Sequence, residues 1–332
     1  MVAHELAAAR ELASRHRLQW WEALPWVAGL AVFFLLPQYL AFGTQVLITI
    51  LFALSIDLVL GYAGIVTLGH AAFFGAGAYT VGMLAMHLGW TEPLSGLLAA
   101  ALVAGAVGLV SGLVLLRTHG LTLLMLTLCT MALLEQAANM GHVYTGGFDG
   151  MPGLSFGAIF GLFKFDVLYF RVQYLYALAV LFLCFVLVRM LVHSSFGRSL
   201  TGIRENLLRM HAVGAPVRAR LVLAYTVSAA IAGVAGGLFT QANAYVNLAT
   251  LGLDRSAGVL IILILGGHGR LYGAFIGALA YMVLEHTLAN VYPTAWQLGI
   301  GITLVLVALY ARNGILGLGD MAGGWLKSRR AR

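Results

Sequence analysis

Charge is what this sequence has least of. Only 9% of its 332 residues are Asp, Glu, Lys or Arg and 61% are hydrophobic, whereas a soluble globular domain carries about 25% charged residues. So few charges exclude a solvated globular surface and indicate an all-α polytopic membrane protein. Cysteine is scarcer still. Cys129 and Cys184 both lie in apolar runs, give neither a disulfide framework nor metal-ligand spacing, and read as small buried hydrophobes. Lysine is limited to Lys164 and Lys327, neither preceded by glycine, so there is no GxxxxGK[ST] phosphate loop. No GxSxG nucleophile elbow and no HExxH helix is expected. His70, His268 and His286 have no ligand spacing on any one helix. The chain is therefore expected to be no enzyme, to bind no metal or cofactor, and to leave any nucleotide chemistry to another polypeptide.

Proline is also rare, at 6 residues, but glycine is abundant at 41, as in membrane helices whose backbones approach closely. The net charge of +7 comes from arginines and lysines at Arg10 to Arg17, Arg189 to Arg220, and Lys327 to Arg332. That is how the positive-inside rule distributes charge, so no nucleic-acid partner is expected. Residues 1–22 lack the short apolar core of a cleavable signal. Leu6, Ala9, Ala13 and Leu18, followed by Trp20, Trp21 and Trp26, read as a cytoplasmic amphipathic segment lying against membrane lipid.

A crossing helix needs roughly 20 apolar residues. Between residues 23 and 318 the sequence supplies about ten: two in 23–56, bent at Pro37 and Gly43, then 58–91, 93–116, 121–140, 172–188, 221–242, 256–265, 272–288 and 295–310. The loop 141–171, where TGGFDGMPG concentrates turn formers, is expected outside. The basic loop 189–220 and a basic tail, 319–332, are expected inside. Both termini are then expected to face the cytoplasm. Arg117 and Arg270 fall inside while Asp149, Asp166 and Asp254 fall outside; Lys164, Arg171 and Arg255 are exceptions. GHAAFFGA (69–76) and GHGRLYGA (267–274) share their glycine, histidine and alanine spacing, which suggests a repeat of two halves with helices broken at glycines.

The break at Gly61, Gly64, Gly69 and His70 is the candidate substrate pathway. Glycines inside a span free backbone groups that protein, water or ligand must satisfy. A half-helix starting at 67–70 could aim its N–H groups at a carboxylate. Close packing of small residues accounts for the same glycines. Asp57, Glu135 and Glu285 are ionisable groups within or beside spans; Glu135, with Gln136 and Asn139 on one helix, is the better candidate for a polar cavity, or else an interhelical hydrogen bond. Asp57 falls near the inner surface and reads as solvated.

The longest polar interruption is 196–214, FGRSLTGIRENLLRMHAVG. It cannot lie in hydrocarbon, where each central charge costs about 2.5 kcal/mol or more. Leu200, Ile203, Leu207 and Met210 nevertheless recur at helical steps. The segment reads as a short amphipathic helix on the cytoplasmic face, offered to a partner.

GYAGIVTLGHAAFFGAGAYT, TGGFDGMPGL, FGRSLTGIRENLLRMHAVGAPVRARLVLAYTVSAAIAGVAGGLF and LGGHGRLYGAFIGA occur in that order. Together they closely resemble the permeases of ATP-binding-cassette importers for branched-chain amino acids, the LivM type, from about residue 47 to about 318. The resemblance implies an inner-membrane subunit working with a second homologous permease, cytoplasmic ATP-binding subunits and a periplasmic solute-binding protein. It also implies that Gly197, Arg198, Arg204, Glu205, Asn206 and Gly214 belong to the segment that couples to the ATPase. Leu207 to His211 depart from the family's smaller or acidic residues, and Asp57 stands where a neutral polar residue is frequent. Relatives on the same scaffold resemble importers of urea and short amides. The alternative is a secondary transporter driven by an ion gradient through Glu135. For a membrane-embedded enzyme, no set of nucleophile, base or metal ligands converges.

Overall fold

The computed structural model describes residues 23–158, 170–293, 295–310 and 314–315. The expected surface segment 1–22, Lys164 and Asp166 in the outer loop, and the basic tail 319–332 lie outside the described residues.

Apolar surroundings leave backbone N–H and C=O groups no partner but each other, so a chain this poor in charge folds almost wholly as helices. In order they are α1 (Leu24–Leu35), α2 (Leu40–Asp57), α3 (Ala71–His87), α4 (Pro93–Leu115), α5 (Leu121–Met140) and α6 (Phe170–His193). Two short helices follow, α7 (Ser195–Glu205) and α8 (Leu207–Ala212), then α9 (Val217–Asn243), α10 (Leu253–Gly266), α11 (Leu271–Val291) and α12 (Trp296–Tyr310). Seven helical stretches among the described residues are long and apolar enough to cross a membrane. α1, α3 and α12 are not among them, at 12, 17 and 15 residues, so the structure supports seven crossings where the sequence suggested about ten.

Two expected boundaries move. Pro37 does separate the first two helices, within a 3-10 turn, but Gly43 lies inside α2, where a Cβ would meet the Tyr174 ring at 2.8 Å. The third span does not begin at residue 58. α2 instead continues through a wide π-type turn, Leu58–Tyr62, and the chain runs non-helically to α3. Gly64 permits this exit, with φ at +73°, a conformation costly for residues with a Cβ.

The core is built on α2 and α9. About 78% of the crossing window of the first and 72% of the second is buried, against 17% for α5. α9 packs against α4, α3 and α2, and α10 pairs with α11. Exposed Leu102, Leu121 and Leu133 leave α4 and α5 apolar on their outer faces, as a lipid-facing helix must be. At one end Met151–Pro152 and Tyr245–Val246 form a two-stranded antiparallel ribbon, Met151 opposite Val246. This ribbon clamps the loop after α5 onto the end of α9, over a small core of Tyr79, Leu154 and Leu251.

Small residues make the central contact possible. A Cβ on Gly236 of α9 would overlap the Phe74 carbonyl of α3, and one on Gly77 would overlap the Gly233 backbone. Backbone cannot yield as a side-chain tip can. Gly236→Val is therefore expected to cost several-fold in recovered monodisperse protein on size-exclusion chromatography. Gly301→Ala, where a Cβ meets nothing within 4 Å, should recover like the parent. The two Gly-His segments both run into a helix start, at α3 and α11.

Candidate functional site

The polar interruption folds as expected onto one face of the bundle, with one difference. Asn206 ends α7 in an extended conformation and its Oδ1 accepts the Arg209 N–H at 2.9 Å, so a second helix, α8, starts there. Asparagine is a strong N-cap, and capping α8 interrupts the single helix that the hydrophobic spacing suggested. At the other end, Ser194 caps α7, its Oγ accepting from Phe196 and Gly197 at 3.2 and 3.4 Å. Gly197 lies against the Val192 backbone, leaving no room for a Cβ. Leu200 and Ile203 are buried, while Arg198, Glu205, Asn206 and Leu208 face outward. Gly214, at φ +79°, turns the chain into α9.

Arg204 is exposed as well, but its guanidinium reaches back to the bundle. Its Nη1 donates to the carbonyl oxygen of Gly61, in the turn that ends α2. Its side chain also lies on Gly64, where a Cβ would sit 2.9 Å from the Arg204 Cγ. One turn before Gly61, Asp57 accepts the Gly269 N–H on Oδ1 at 2.6 Å. Asp57 is fully buried, and its Oδ2 has no partner among the described residues. The solvated Asp57 expected from the sequence is therefore corrected: it is buried, with the Gly269 N–H bonded to it and Arg204 nearby. The junction joins three segments far apart in the chain: the break after α2, the end of α7, and the glycine turn between α10 and α11. A buried carboxylate is costly without donors and a nearby cation, and Gly269 and Arg204 supply these.

His268, in the same turn, is exposed over much of its surface, yet partial burial and, second, the Arg204 guanidinium hold it below the usual imidazole range. A depressed folded-state value means that its contribution to stability is present above the free imidazole range and lost as pH falls below about 6.5. The thermal midpoint of the purified chain is expected to fall between about pH 7 and about pH 5.5, and His268→Gln to remove part of that fall. An unchanged slope in His268→Gln would remove His268 from the account.

The remaining pathway candidates separate from this junction. His70 is completely buried; its Nε2 lies 3.1 Å from Ser55 Oγ and 3.2 Å from Ser228 Oγ, and its ring contacts those of Phe52 and Phe73. Gly69 abuts the Thr127 carbonyl of α5 so closely that a Cβ would overlap it, giving the packing alternative a specific neighbour. The N–H groups expected to meet a carboxylate are engaged within the protein: Leu68 to Thr127 Oγ1 at 3.3 Å, Gly69 to Thr67 Oγ1 at 3.2 Å, Ala71 to Ser256 Oγ at 2.8 Å. Glu135 is half-buried on α5, near the Tyr79 hydroxyl, and belongs to neither cluster. Gly153 to Gly157, GLSFG, does have GxSxG spacing, against the expectation of none. It lies in the non-helical outer loop, where Gly157 N donates to the Thr91 carbonyl at 2.7 Å, and forms no strand-to-helix elbow. Among the described residues no group of three His, Cys, Asp or Glu is placed to hold a metal.

A transmembrane bundle with a polar, two-helix projection tied to a broken core helix has the parts of a transport subunit. A family profile described as the permease component of branched-chain amino acid transport systems matches residues 38–309. The chain belongs to this permease family. The permease is 28% identical over 299 residues to the high-affinity branched-chain amino acid permease protein LivM of Escherichia coli K12, covering 82% of this chain and 69% of that one. To LivM of Salmonella typhimurium LT2 it is 30% identical over the same length and coverage. It is also 29% identical over 297 residues to the autoinducer 2 import permease LsrC of Enterobacter sp. 638, covering 84% of this chain and 81% of that one. No solved structure matches.

Sequence reasoning missed Asp57, Gly269 and His268 as parts of one site. A signal was present for the first. Asp57 and Gly61 are four apart, on one helix face, so an acid looked directly onto the glycine where the helix breaks. The permease also carries a mixed polar and apolar cavity lined by Asp254, Arg255 and Glu285, of which the sequence had marked Arg255 as a departure from the charge rule and Glu285 as an ionisable group within or beside a span.

Proposed function

We propose that this permease is the membrane subunit of an ATP-binding-cassette importer for branched-chain or related small amino acids and amides. Its partners are cytoplasmic ATP-binding subunits, a second homologous permease and a periplasmic solute-binding protein. The carrying observation is the bond from Arg204 of α7 to the Gly61 carbonyl, which gives a docked ATPase a rigid route to the broken end of α2. In this reading Arg198, Glu205 and the exposed edge of α8 meet the ATPase. Gly197, Asn206 and Gly214 shape that surface, and Gly61 and Gly64 are the receiving end of the stroke. The termini face the cytoplasm. The absence of a phosphate loop from the sequence supports a separate ATPase. The two LivM relatives and the family description favour amino acids, and the LsrC relative marks autoinducer 2 as the competing cargo.

The test is uptake of labelled leucine into membrane vesicles holding the complete complex. Uptake is expected to need internal or external ATP on the cytoplasmic side and to survive collapse of ion gradients. Uptake that follows an ion gradient with no ATPase present would contradict the proposal and support a secondary transporter working through Glu135.

A further inference from the structure

At the end of the bundle remote from Arg204 lies a cavity of about 460 Å³, within the roughly 300–1,000 Å³ of small-molecule sites. It takes Gln45 and Phe52 from α2, Phe239 from the end of α9, Arg255 from the first turn of α10, and Glu285 from the last turns of α11. The opposite ends of these helices approach the Asp57–Arg204 junction, so the cavity and the coupling helices occupy opposite ends of the same four elements.

Arg255 is the distinctive residue. Its guanidinium carbon sits 4.6 Å from the ring centre of Phe239 and 5.2 Å from that of Phe74. Two phenyl faces fix a cation in place while leaving its fork of N–H donors unspent. Asp254 and Glu285 line the same cavity, yet no hydrogen bond or ion pair joins either to Arg255; Glu285 acts on it through space. Phe52, Phe74, Val259 and Ile262 form the apolar wall. A guanidinium and a carboxylate held apart in a partly apolar cavity lack the direct pairing that would offset their desolvation. The complement is a solute carrying an anion, a cation and an apolar group on one small frame.

We propose that this cavity binds a free amino acid with an apolar side chain: Arg255 takes the carboxylate, Glu285 the ammonium, and the Phe52, Phe74, Val259 and Ile262 wall the side chain. The proposal rests on the importer reading and selects within it, since a neutral hydroxylated solute makes no use of two opposed charges. The headgroup of phosphatidylethanolamine shares the pairing of anion and ammonium, so the test must separate the two sources.

Gly258 lines the cavity, and a Cβ there meets only the Tyr281 hydroxyl, at 3.6 Å, so Gly258→Cys fits. The full chain carrying it, with exposed Cys129 replaced by serine and buried Cys184 kept, is alkylated by a maleimide in its own membranes. L-Leucine is expected to slow alkylation about tenfold near saturation of a single site. Leucinol, without the carboxylate, and 4-methylpentanoate, without the amine, should protect much less. Arg255→Gln should erase the advantage of leucine over leucinol while leaving leucinol's own protection unchanged, which a merely structural arginine would not do. Arg255→Lys should restore only part of it, having charge without the fork. Three results would overturn the proposal: leucine that does not protect, O-phosphoethanolamine that protects where leucine does not, or an introduced thiol that never reacts. ATP-driven uptake is scored separately, so normal uptake without leucine protection removes the site and leaves the importer standing.

Discussion

Arg204→Glu is expected to give a permease that inserts and assembles but hydrolyses ATP without moving solute. Arg204 of α7 bonds the break after α2, and it lies close enough to buried Asp57 to act on its charge. Removing a hydrogen bond to a charged donor costs about 1.5–3 kcal/mol, a factor of about 10–100 in an equilibrium between engaged and disengaged states. Reversing the charge replaces attraction to buried Asp57 with repulsion. Leucine uptake per ATP hydrolysed, measured in vesicles, should therefore fall by an order of magnitude or more, and Arg204→Ala should fall less. Glu205→Arg, on the exposed side of the same helix end, should weaken ATPase binding while leaving the junction intact. Normal uptake in both charge reversals would remove the coupling role from this helix.

Gly61→Val should have the second large effect, through backbone geometry. A Cβ at Gly61 would overlap the Asp57 carboxylate oxygen and the Gly269 backbone. Both neighbours are fixed, Asp57 by its helix and Gly269 by its bond to Asp57. Something must move, and the softest element is the 267–269 turn, since Gly267 and Gly269 have φ of +98° and +77° and belong to no helix. The expected outcome is an inserted permease with its α10–α11 turn displaced and its uptake lost, cooled or warmed alike. Limited proteolysis at that turn should quicken in Gly61→Val relative to the parent. Uptake at the parental rate, with unchanged cleavage, would mean that the close approach is incidental.

Much of the architecture was legible because hydrophobic length and charge position are one-dimensional signals. The long apolar runs became α2, α4, α5, α6, α9 and α11, and the polar run 196–214 became a surface element with Leu200 and Ile203 turned inward. What failed was whatever depended on a distant neighbour. Asp57 looked solvated because its depth along the chain is near the inner surface, and nothing local announces the Gly269 turn 212 residues later. Gly43, read as a bend, is a seat for the Tyr174 ring of α6. The half-helix at 67–70 had the form of an anion site, but Thr127 and Ser256 from other helices already use its donors. Arg255 shows the opposite case. It broke the charge rule, and that exception marked a cation kept in the bundle by Phe74 and Phe239.

The most direct measurement is sided thiol labelling at α8, in a Cys129→Ser background. Ser199 is buried and unsuitable, whereas Leu208 is 81% exposed, so Leu208→Cys presents a free thiol. The account predicts that an impermeant maleimide reaches this thiol only from the cytoplasmic side, and that adding the ATP-binding subunits protects it. Labelling from the external side alone, or reactivity indifferent to the ATPase, would contradict it.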